Sequence, residues 1–271
     1  EIMSSDWSSD VCSSDLSGDG YNNWQIDPRP TFTADPDNYP EELYGIEDPR
    51  VVHVPELKKY IITYTAYSDN GPCVSLAQTE DFKTFERNGV ILPPENKDAV
   101  IFPRKLKNRW YILHRPMPSN HSSQAHIWIA SSPDLVHWGD HKILIRARNG
   151  GWWDCDKIGI GPQPVETSEG WLLIYHGVRI TASGSIYRLG LALLDLDDPF
   201  SVIRRGKQWV FGPQEAYEQI GDVPNVTFPC GVVTKEDTGE LLMYYGAADT
   251  SMAVASAKIS DLLEFLKHNS E

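Results

Sequence analysis

A repeated pattern of short strands separated by turn residues constrains the fold of this sequence most. Runs of β-branched and aromatic residues occur at 60–67, 110–115, 171–178 and 241–246. Each run follows a segment with a proline, and the spacings are 54, 59 and 67 residues between Pro49, Pro103, Pro162 and Pro229. Self-similarity on this scale, with about four strands per unit, is typical of β-propeller blades. A β-sandwich without internal repeats is the alternative, and the matching prolines favour the propeller.

A polar turn also recurs between the third and fourth predicted strands of the first three units. These turns lie at 79–85, 132–138 and 195–200. A similar turn at 17–24, followed by a predicted strand at 25–32, resembles the end of another blade whose first three strands are missing. We therefore predict an all-β fold, a five-bladed β-propeller with its first blade largely missing at the N-terminus. Residues 17–271 are predicted to form a single catalytic domain, with a blade remnant at 17–32 followed by four blades.

The first sixteen residues contain Ser-Ser-Asp three times and have no strand or helix period. They also lack the basic start and apolar run of a secretory signal. We interpret residues 1–16 as a foreign or disordered tail that arose as an artefact, with a natural disordered tail as the alternative. The natural N-terminus would then be absent, so a missing signal peptide carries little weight. A bacterial cytoplasmic location is the expectation.

Charge and cysteine usage narrow the classes of partner. The net charge of −14 argues against nucleic-acid and anionic membrane surfaces, although it allows a local basic pocket. No apolar run is long enough for a transmembrane helix. The four cysteines are widely spaced, which predicts packed, reduced thiols and no metal site: Cys12, Cys73, Cys155 and Cys230. A homo-oligomer is left open.

Charged residues stand at matching positions of the predicted units. Alignment of the second strands on their first aromatic residue brings Thr65, Arg115 and His176 to one position. The loops before the prolines add Asp48, Lys97 and Lys157, and the fourth unit adds Asp249. Because equivalent positions of propeller blades meet near the axis, we expect these side chains to converge. An acid beside a basic cluster can protonate a leaving group while the cations hold an anion such as phosphate.

Each of these residues also has a structural alternative. Asp48 could simply begin a turn, and the two lysines could be solvated surface charges. Arg115 could form an ion pair with a carboxylate of a blade, and His176 could be a packed histidine with a satisfied hydrogen bond. The convergence of positions favours the functional interpretation of the set.

Several long segments resemble glycoside hydrolase family 130, the β-mannoside phosphorylases and related mannosidases. The similarity extends from about residue 17 to about residue 266. It includes Ile-Glu-Asp-Pro-Arg at 46–50, Tyr-His-Gly-Val at 175–178 and Tyr-Tyr-Gly-Ala-Ala-Asp-Thr at 244–250. Further matching segments lie at 79–85, 102–105, 157–162, 166–174 and 221–226.

The resemblance implies a five-bladed propeller and inverting phosphorolysis of β-mannosides, with no metal or organic cofactor and inorganic phosphate as co-substrate. Phosphate attacks the anomeric carbon, and α-mannose 1-phosphate leaves. Asp48 matches the family's acid, which is thought to deliver its proton through the mannose 3-hydroxyl. The predicted phosphate-binding residues are Lys97, Arg115, Lys157 and His176. The predicted substrate-binding residues are Asp249, which matches the family's mannose-binding Asp, and Glu47, Arg50 and Tyr245.

Two departures leave alternatives open. Lys97 stands where the family usually has Arg, so it supplies charge without the bidentate fork. Glu47 stands where several members acting on β-1,4-mannosides have an aromatic residue. The expected substrate is a β-1,4-linked manno-oligosaccharide or a mannosyl-glucose or mannosyl-GlcNAc compound, with β-1,2-mannosides as the alternative. A β-mannosidase that activates water with Glu47, or an inactive carbohydrate-binding propeller, are further alternatives, since the missing blade could abolish activity.

Overall fold

A computed structural model of the chain describes residues 11–12, 15–118 and 124–271. The chain divides into two compact units, Glu1–Ser119 with Ile129–Lys142 and Asn120–Trp128 with Ile143–Glu271. Nearly all of the regular structure consists of strands, which confirms the all-β prediction. Among the described residues, no helix has the length and apolar character to cross a membrane.

The N-terminal part of the first unit contains four two-residue strands: β1 (Val11–Cys12), β2 (Asp15–Leu16), β3 (Gln25–Ile26) and β4 (Phe32–Thr33). The backbone of β1 pairs with β4, and that of β2 pairs with β3. A short 3₁₀ helix at Pro40–Glu42 follows.

Two four-stranded sheets lie largely in the first unit, and each pairs its strands in chain order. Sheet A contains β5 (Ile46–Val54), β6 (Lys59–Ser68), β7 (Gly71–Thr79) and β8 (Glu86–Leu92). Sheet B contains β9 (Asn96–Ile101), β10 (Trp110–Pro116), β11 (Ile127–Ser132) and β12 (Gly139–Ile145).

The second unit contains two further sheets. Sheet C is five-stranded, with β14 paired to β15: β13 (Lys157–Ile160), β14 (Val165–Thr167), β15 (Gly170–Thr181), β16 (Gly184–Leu194) and β17 (Val202–Arg205). The short helix α1 (Ala216–Gln219) leads to sheet D, which contains β18 (Thr227–Lys235), β19 (Glu240–Ala247) and β20 (Ser251–Lys258). Helix α2 (Ile259–His268) ends the chain, and its buried face presents Leu263 and Leu266 to the core of the unit.

The predicted strands and turns are confirmed. The four aromatic runs lie in β6, β10, β15 and β19, each of which is the second strand from one edge of its sheet in pairing order. The three predicted polar turns connect β7 to β8, β11 to β12 and β16 to β17. In each turn an aspartate accepts hydrogen bonds from backbone N–H groups two and three residues later: Asp81, Asp134 and Asp195. An Asx-type turn of this kind suits a tight connection between paired strands.

The number of blades differs from the prediction of five. The described residues form four blade-type sheets, and residues 17–32 do not add a fifth. The predicted turn at 17–24 is present, because Asp19 accepts hydrogen bonds from the N–H groups of Tyr21 and Asn22. The predicted strand at 25–32 is interrupted, since Pro28 and Pro30 lack the N–H group that a ladder requires.

Each unit has its own apolar core. In the first unit, Phe32, Ile62 and Tyr64 pack together, and Phe32 meets the Tyr64 ring edge to face at 5.2 Å between centroids. In the second unit, the buried faces of sheets C and D join in one cluster. Three described cysteines are buried, in agreement with the prediction of packed side chains: Cys73, Cys155 and Cys230.

Candidate active site

Asp48 lies at a β-bulge between β5 and β6. Glu47 pairs with Thr65 and Arg50 pairs with Thr63, so Asp48 and Pro49 together stand opposite a single residue. Asp48 also has a left-handed backbone, with φ of 54°. A bulge bends the strand and re-aims a side chain, which is why bulges are frequent near active sites. The Asp48 side chain is 11% exposed.

Sheet B repeats this bulge at the same register. Lys97 pairs with Arg115 and Val100 pairs with Leu113, which leaves Asp98 and its neighbour opposite one residue. Asp98 has a φ of 51°, close to that of Asp48. Asp98 is therefore the structural equivalent of Asp48, and the sequence analysis did not identify it. The sequence did contain a signal for this equivalence, because Asp98 directly follows the charged residue Lys97, as Asp48 directly follows the charged residue Glu47.

Lys97 of β9 forms ion pairs with two carboxylates of β5. Its Nζ lies 2.8 Å from Oε1 of Glu47 and 3.9 Å from Oδ2 of Asp48. Burial would lower the pKa of Lys97, but the charges of Asp48, Glu47 and Asp98 outweigh this effect and raise it above the usual range. Lys97 is therefore a permanent cation beside Asp48.

The pKa of Asp48 is raised to about 6 because burial disfavours its charged form. Lys97 and Arg50 oppose this effect, while the negative charges of Glu47 and Asp98 add to it. A carboxyl with such a pKa keeps a proton to much higher pH than an exposed aspartate does. It can therefore act as a general acid under mildly acidic to neutral conditions.

Arg115 forms a buried ion pair with Asp98. Its Nη1 lies 2.6 Å from Oδ2 of Asp98, and the two side chains are 6% and 1% exposed. Beside this pair, the Thr63 hydroxyl donates to the carbonyl of Ala99 over 2.6 Å, which ties sheet A to the bulge of sheet B. The orientation of Arg115 is thus set by a carboxylate on the neighbouring strand.

Arg50 supports the turn that carries Asp48. The residue is buried, and its Nη1 donates to the carbonyls of Asp48 and Pro49 over 3.2 and 3.3 Å. The structure thus brings Glu47, Asp48, Arg50 and Lys97 of the first unit together, with the Arg115–Asp98 pair on the adjoining strands.

In the second unit, Lys157 and His176 share one aromatic partner. The Lys157 Nζ lies 5.5 Å from the centroid of the Tyr187 ring, and the buried His176 ring stacks on Tyr187 at 5.8 Å. Phe228 lies on His176 at 4.9 Å between centroids. The sequence analysis did not identify Tyr187, since an uncharged residue inside a strand has no distinguishing motif. Two predicted phosphate-binding groups are therefore held together within this unit.

The two remaining predicted residues lie on or beside β19. The Tyr245 hydroxyl is buried and donates to Oε1 of Glu218 over 2.7 Å. Burial and the neighbouring Tyr217 and Glu218 raise the pKa of Tyr245 far above its usual range. Asp249 lies in the turn after β19, where its φ of 50° is again left-handed.

The strand register shows which residues of the first strands stand opposite the aligned positions. The residues that pair with Thr65, Arg115 and His176 are Glu47, Lys97 and Gly159. Lys97 thus lies at an aligned position, whereas Asp48 and Lys157 lie beside one. The bulges shift the register, which spacing along the chain cannot reveal.

The family model described as β-1,4-mannooligosaccharide phosphorylase matches residues 4–268 of this chain. The chain belongs to glycoside hydrolase family 130. Among curated relatives, the β-1,4-mannooligosaccharide phosphorylase of Ruminococcus albus is 36% identical over 251 residues, covering 91% of this chain and 73% of the relative. The β-1,2-mannobiose phosphorylase of Listeria innocua is 42% identical over 226 residues, covering 83% of this chain and 61% of the relative.

The solved structure of the Listeria innocua β-1,2-mannobiose phosphorylase in complex with β-1,2-mannobiose is similar to this chain. The TM-score is 0.85 at 39% sequence identity, and the match covers 96% of this chain and 70% of that one. The family model and both curated relatives are described as phosphorylases of mannosides, and the chain belongs to the same family of glycoside-cleaving enzymes.

Proposed function

We propose that the complete protein cleaves β-mannosides by inverting phosphorolysis and releases α-mannose 1-phosphate. The observation that carries the proposal is the buried Asp48 carboxyl. Its pKa is raised to about 6, and it lies beside the permanent cation Lys97. Asp48 provides the proton that the departing sugar oxygen needs. As the family resemblance implies, the proton passes through the 3-hydroxyl of the mannose.

Phosphate requires binding and orientation more than activation, because it is already a strongly anionic nucleophile near neutral pH. In our proposal the phosphate-binding groups are those that the resemblance implies: Lys97, Arg115, Lys157 and His176. Lys97 is paired with Glu47 at 2.8 Å, so phosphate competes with that carboxylate for it. No metal or organic cofactor enters this scheme.

The substrate side of the site uses the remaining predicted residues in different ways. Asp249 binds the mannosyl unit in our proposal. Arg50 acts through the turn of Asp48, since its guanidinium bonds to that backbone. Tyr245 acts through packing, because its hydroxyl is engaged by Glu218. Glu47 is half-exposed beside Asp48, so it is the residue of this group best placed to meet a sugar hydroxyl.

The linkage of the substrate is β-1,4 or β-1,2. The relative from Ruminococcus albus is a β-1,4-mannooligosaccharide phosphorylase, and the relative from Listeria innocua is a β-1,2-mannobiose phosphorylase. The proposal therefore covers both linkages, and its test uses both disaccharides.

We expect turnover to depend on inorganic phosphate. The chain, and a longer form that includes the N-terminal part of its relatives, are incubated with β-1,4- or β-1,2-mannobiose, with and without phosphate. The expected products are α-mannose 1-phosphate, identified by phosphorus NMR, and an equal amount of free mannose, measured by proton NMR. Equal release of mannose in both buffers would instead make the protein a hydrolase. Binding without turnover that survives Asp48→Asn would make it a carbohydrate-binding protein.

Glu47→Gln is expected to move the alkaline limb of the pH–rate profile to lower pH. The negative charge of Glu47 raises the pKa of Asp48, so its removal lowers that pKa. Stability should change by less than about 1 kcal/mol, because the Glu47–Lys97 pair is partly exposed. The profile of kcat/KM against pH and a thermal melt provide the measurements.

The matched control for this variant is Glu56→Gln. Glu56 pairs with Lys105 at 3.1 Å, and its side chain has the same 42% exposure as that of Glu47. The control should leave the pH profile unchanged. Loss of a phosphate-independent turnover in Glu47→Gln would support the water-activating role of Glu47 and contradict phosphorolysis.

A further inference from the structure

A groove of about 840 Å³ lies on the second unit, beside the outer part of sheet C. Tryptophans and cations dominate its lining: Gly151, Trp152, Trp153, Arg179, Arg188, Lys207, Gln208 and Trp209. Its volume is in the range of pockets that hold small molecules. None of the residues predicted for the mannoside and phosphate sites belongs to this lining.

The groove lies on the opposite face of sheet C from His176. Side chains alternate along a strand, so Gly177 and Arg179 of β15 face away from His176. Arg188 pairs with Gly177 and shares its face, whereas Tyr187 pairs with Val178 and lies on the face of His176. The groove is therefore a separate place within the second unit.

The floor of the groove is rigid. The Trp153 ring packs so closely on Gly177 and Gly190 that a Cβ at either position would lie 2.5 Å from the ring. Its Nε1 donates to the carbonyl of Lys207 over 3.0 Å, and its ring stacks on Tyr175 at 5.6 Å. A fixed wall of this kind reduces the entropy lost when a ligand binds.

The rims carry two tryptophans that are held in place yet open to solvent. Trp152 and Trp209 are 39% and 38% exposed. The Arg148 guanidinium lies 4.8 Å from the centroid of Trp152, and that of Arg188 lies 5.1 Å from the centroid of Trp209. Half-exposed indole rings offer apolar faces on which the C–H face of a sugar stacks.

The groove is positively charged, whereas the protein as a whole is negatively charged. Three of the eight lining residues are cations and none is a carboxylate, although the chain carries a net charge of −14. Arg179 is oriented by a hydrogen bond from its Nη1 to the carbonyl of Gly151 over 3.2 Å. Oriented guanidinium groups suit phosphate and carboxylate ligands.

We propose that this groove is a second carbohydrate site that binds an anionic sugar. The sugar ring lies on Trp209 or Trp152, and its phosphate or carboxylate is held by Arg188, Arg179 and Lys207. Other anionic ligands with a flat ring could stack on tryptophan in the same way. The choice of an anionic sugar rests on the proposed function, because its product α-mannose 1-phosphate is such a sugar. Binding to the groove itself does not require turnover.

The test measures binding of α-mannose 1-phosphate by titration calorimetry to the wild-type protein, Arg188→Ala and Trp209→Ala. Mannose, inorganic phosphate and AMP serve as comparison ligands. We expect two binding events in the wild type. In each variant the affinity of one of them should fall by about tenfold or more. Mannose and phosphate alone should bind the groove at least about tenfold more weakly. Turnover of mannobiose should be unchanged in both variants.

The matched control is Arg204→Ala, which removes a partly exposed arginine of β17 that is paired with Glu169 at 3.5 Å. It should bind like the wild type. Unchanged sugar phosphate binding in both groove variants would overturn the proposal, as would AMP binding as tightly as the sugar phosphate. A change in oligomeric state by light scattering in Trp209→Ala, without loss of ligand, would make the face a protein interface. Absence of turnover with groove binding intact would reject the proposed function alone.

Discussion

Asp48→Asn is expected to lower the rate of mannoside phosphorolysis by about 10²- to 10⁴-fold, the usual contribution of a general acid. Asparagine keeps the size of the side chain and tolerates the left-handed backbone at this bulge, where φ is 54°. The substitution therefore removes the proton and little else. The measurement is kcat/KM for mannobiose at saturating phosphate, from about pH 4 to about pH 9, a range that brackets the Asp48 pKa.

The pH dependence of this variant has a defined sign. Wild-type activity should fall as pH rises through about 6, where Asp48 loses its proton, and this limb should disappear in the variant. Burial raises the pKa of Asp48, so the folded state holds the proton more tightly than the unfolded chain does. The stability that the Asp48 carboxyl contributes is therefore lost as pH rises from about 4 to about 6, and the asparagine variant lacks this contribution to the pH dependence.

The stability gained by Asp48→Asn should reach at most about 3 kcal/mol above pH 6 and vanish near pH 4. Asp140→Asn is the matched control, because Asp140 has a similar φ of 56° and an ion pair with Arg109 at 3.6 Å. It should leave activity unchanged. A fully active Asp48→Asn protein, or one destabilised at neutral pH and stable at low pH, would contradict the assignment of Asp48 as the acid.

Arg115→Ala is expected to cost about 3–5 kcal/mol of folding free energy. Its partner Asp98 is 1% exposed at the side chain, so the substitution leaves a buried carboxylate without its arginine. The loss is measured by urea unfolding. Arg109→Ala is the control, since the Arg109–Asp140 pair is largely exposed and should contribute less than about 1 kcal/mol.

A double variant separates the structural role of Arg115 from its proposed role in phosphate binding. Arg115→Leu combined with Asp98→Asn removes both charges, and asparagine tolerates the left-handed backbone of residue 98, where φ is 51°. Because no buried charge is then left unpaired, the main cause of the loss in Arg115→Ala is absent. We expect most of the lost stability to return while the apparent affinity for phosphate stays reduced by at least about tenfold. A stable double variant with the phosphate KM of the wild type would make the Arg115–Asp98 pair purely structural.

The sequence alone was sufficient for the local structure. Short runs of β-branched and aromatic residues bounded by turn residues identify β6, β10, β15 and β19. These four strands are buried along most of their length, so their sequences are apolar on both faces. The polar turns could also be predicted from the sequence, since the aspartate of each turn accepts hydrogen bonds from the backbone of that same turn. These signals depend on neighbours within a few residues.

The blade count could be predicted less well. A turn at 17–24 forms without a blade to follow it, because a turn needs only its own residues. A blade requires four strands that pair over long distances, and the prolines at 28 and 30 interrupt the strand predicted between 25 and 32. The repeat in the sequence therefore predicted the four sheets correctly. The fifth blade that it also predicted is not formed by the described residues.

The charged residue types of the candidate site were visible in the sequence, but their partners were decided by the tertiary structure. The two bulges determine that Asp48 meets Lys97 and that Arg115 meets Asp98, because each extra residue shifts the strand register and redirects the side chains beyond it. Burial then raises the pKa of Asp48 to about 6. The strand pattern follows from short-range chemistry in the chain, and the resemblance of the Asp-Pro-Arg motif to the family leads to the proposal of Asp48 as the acid. The ion-pair partner and the proton affinity of that carboxyl arise only when distant strands pair and exclude water.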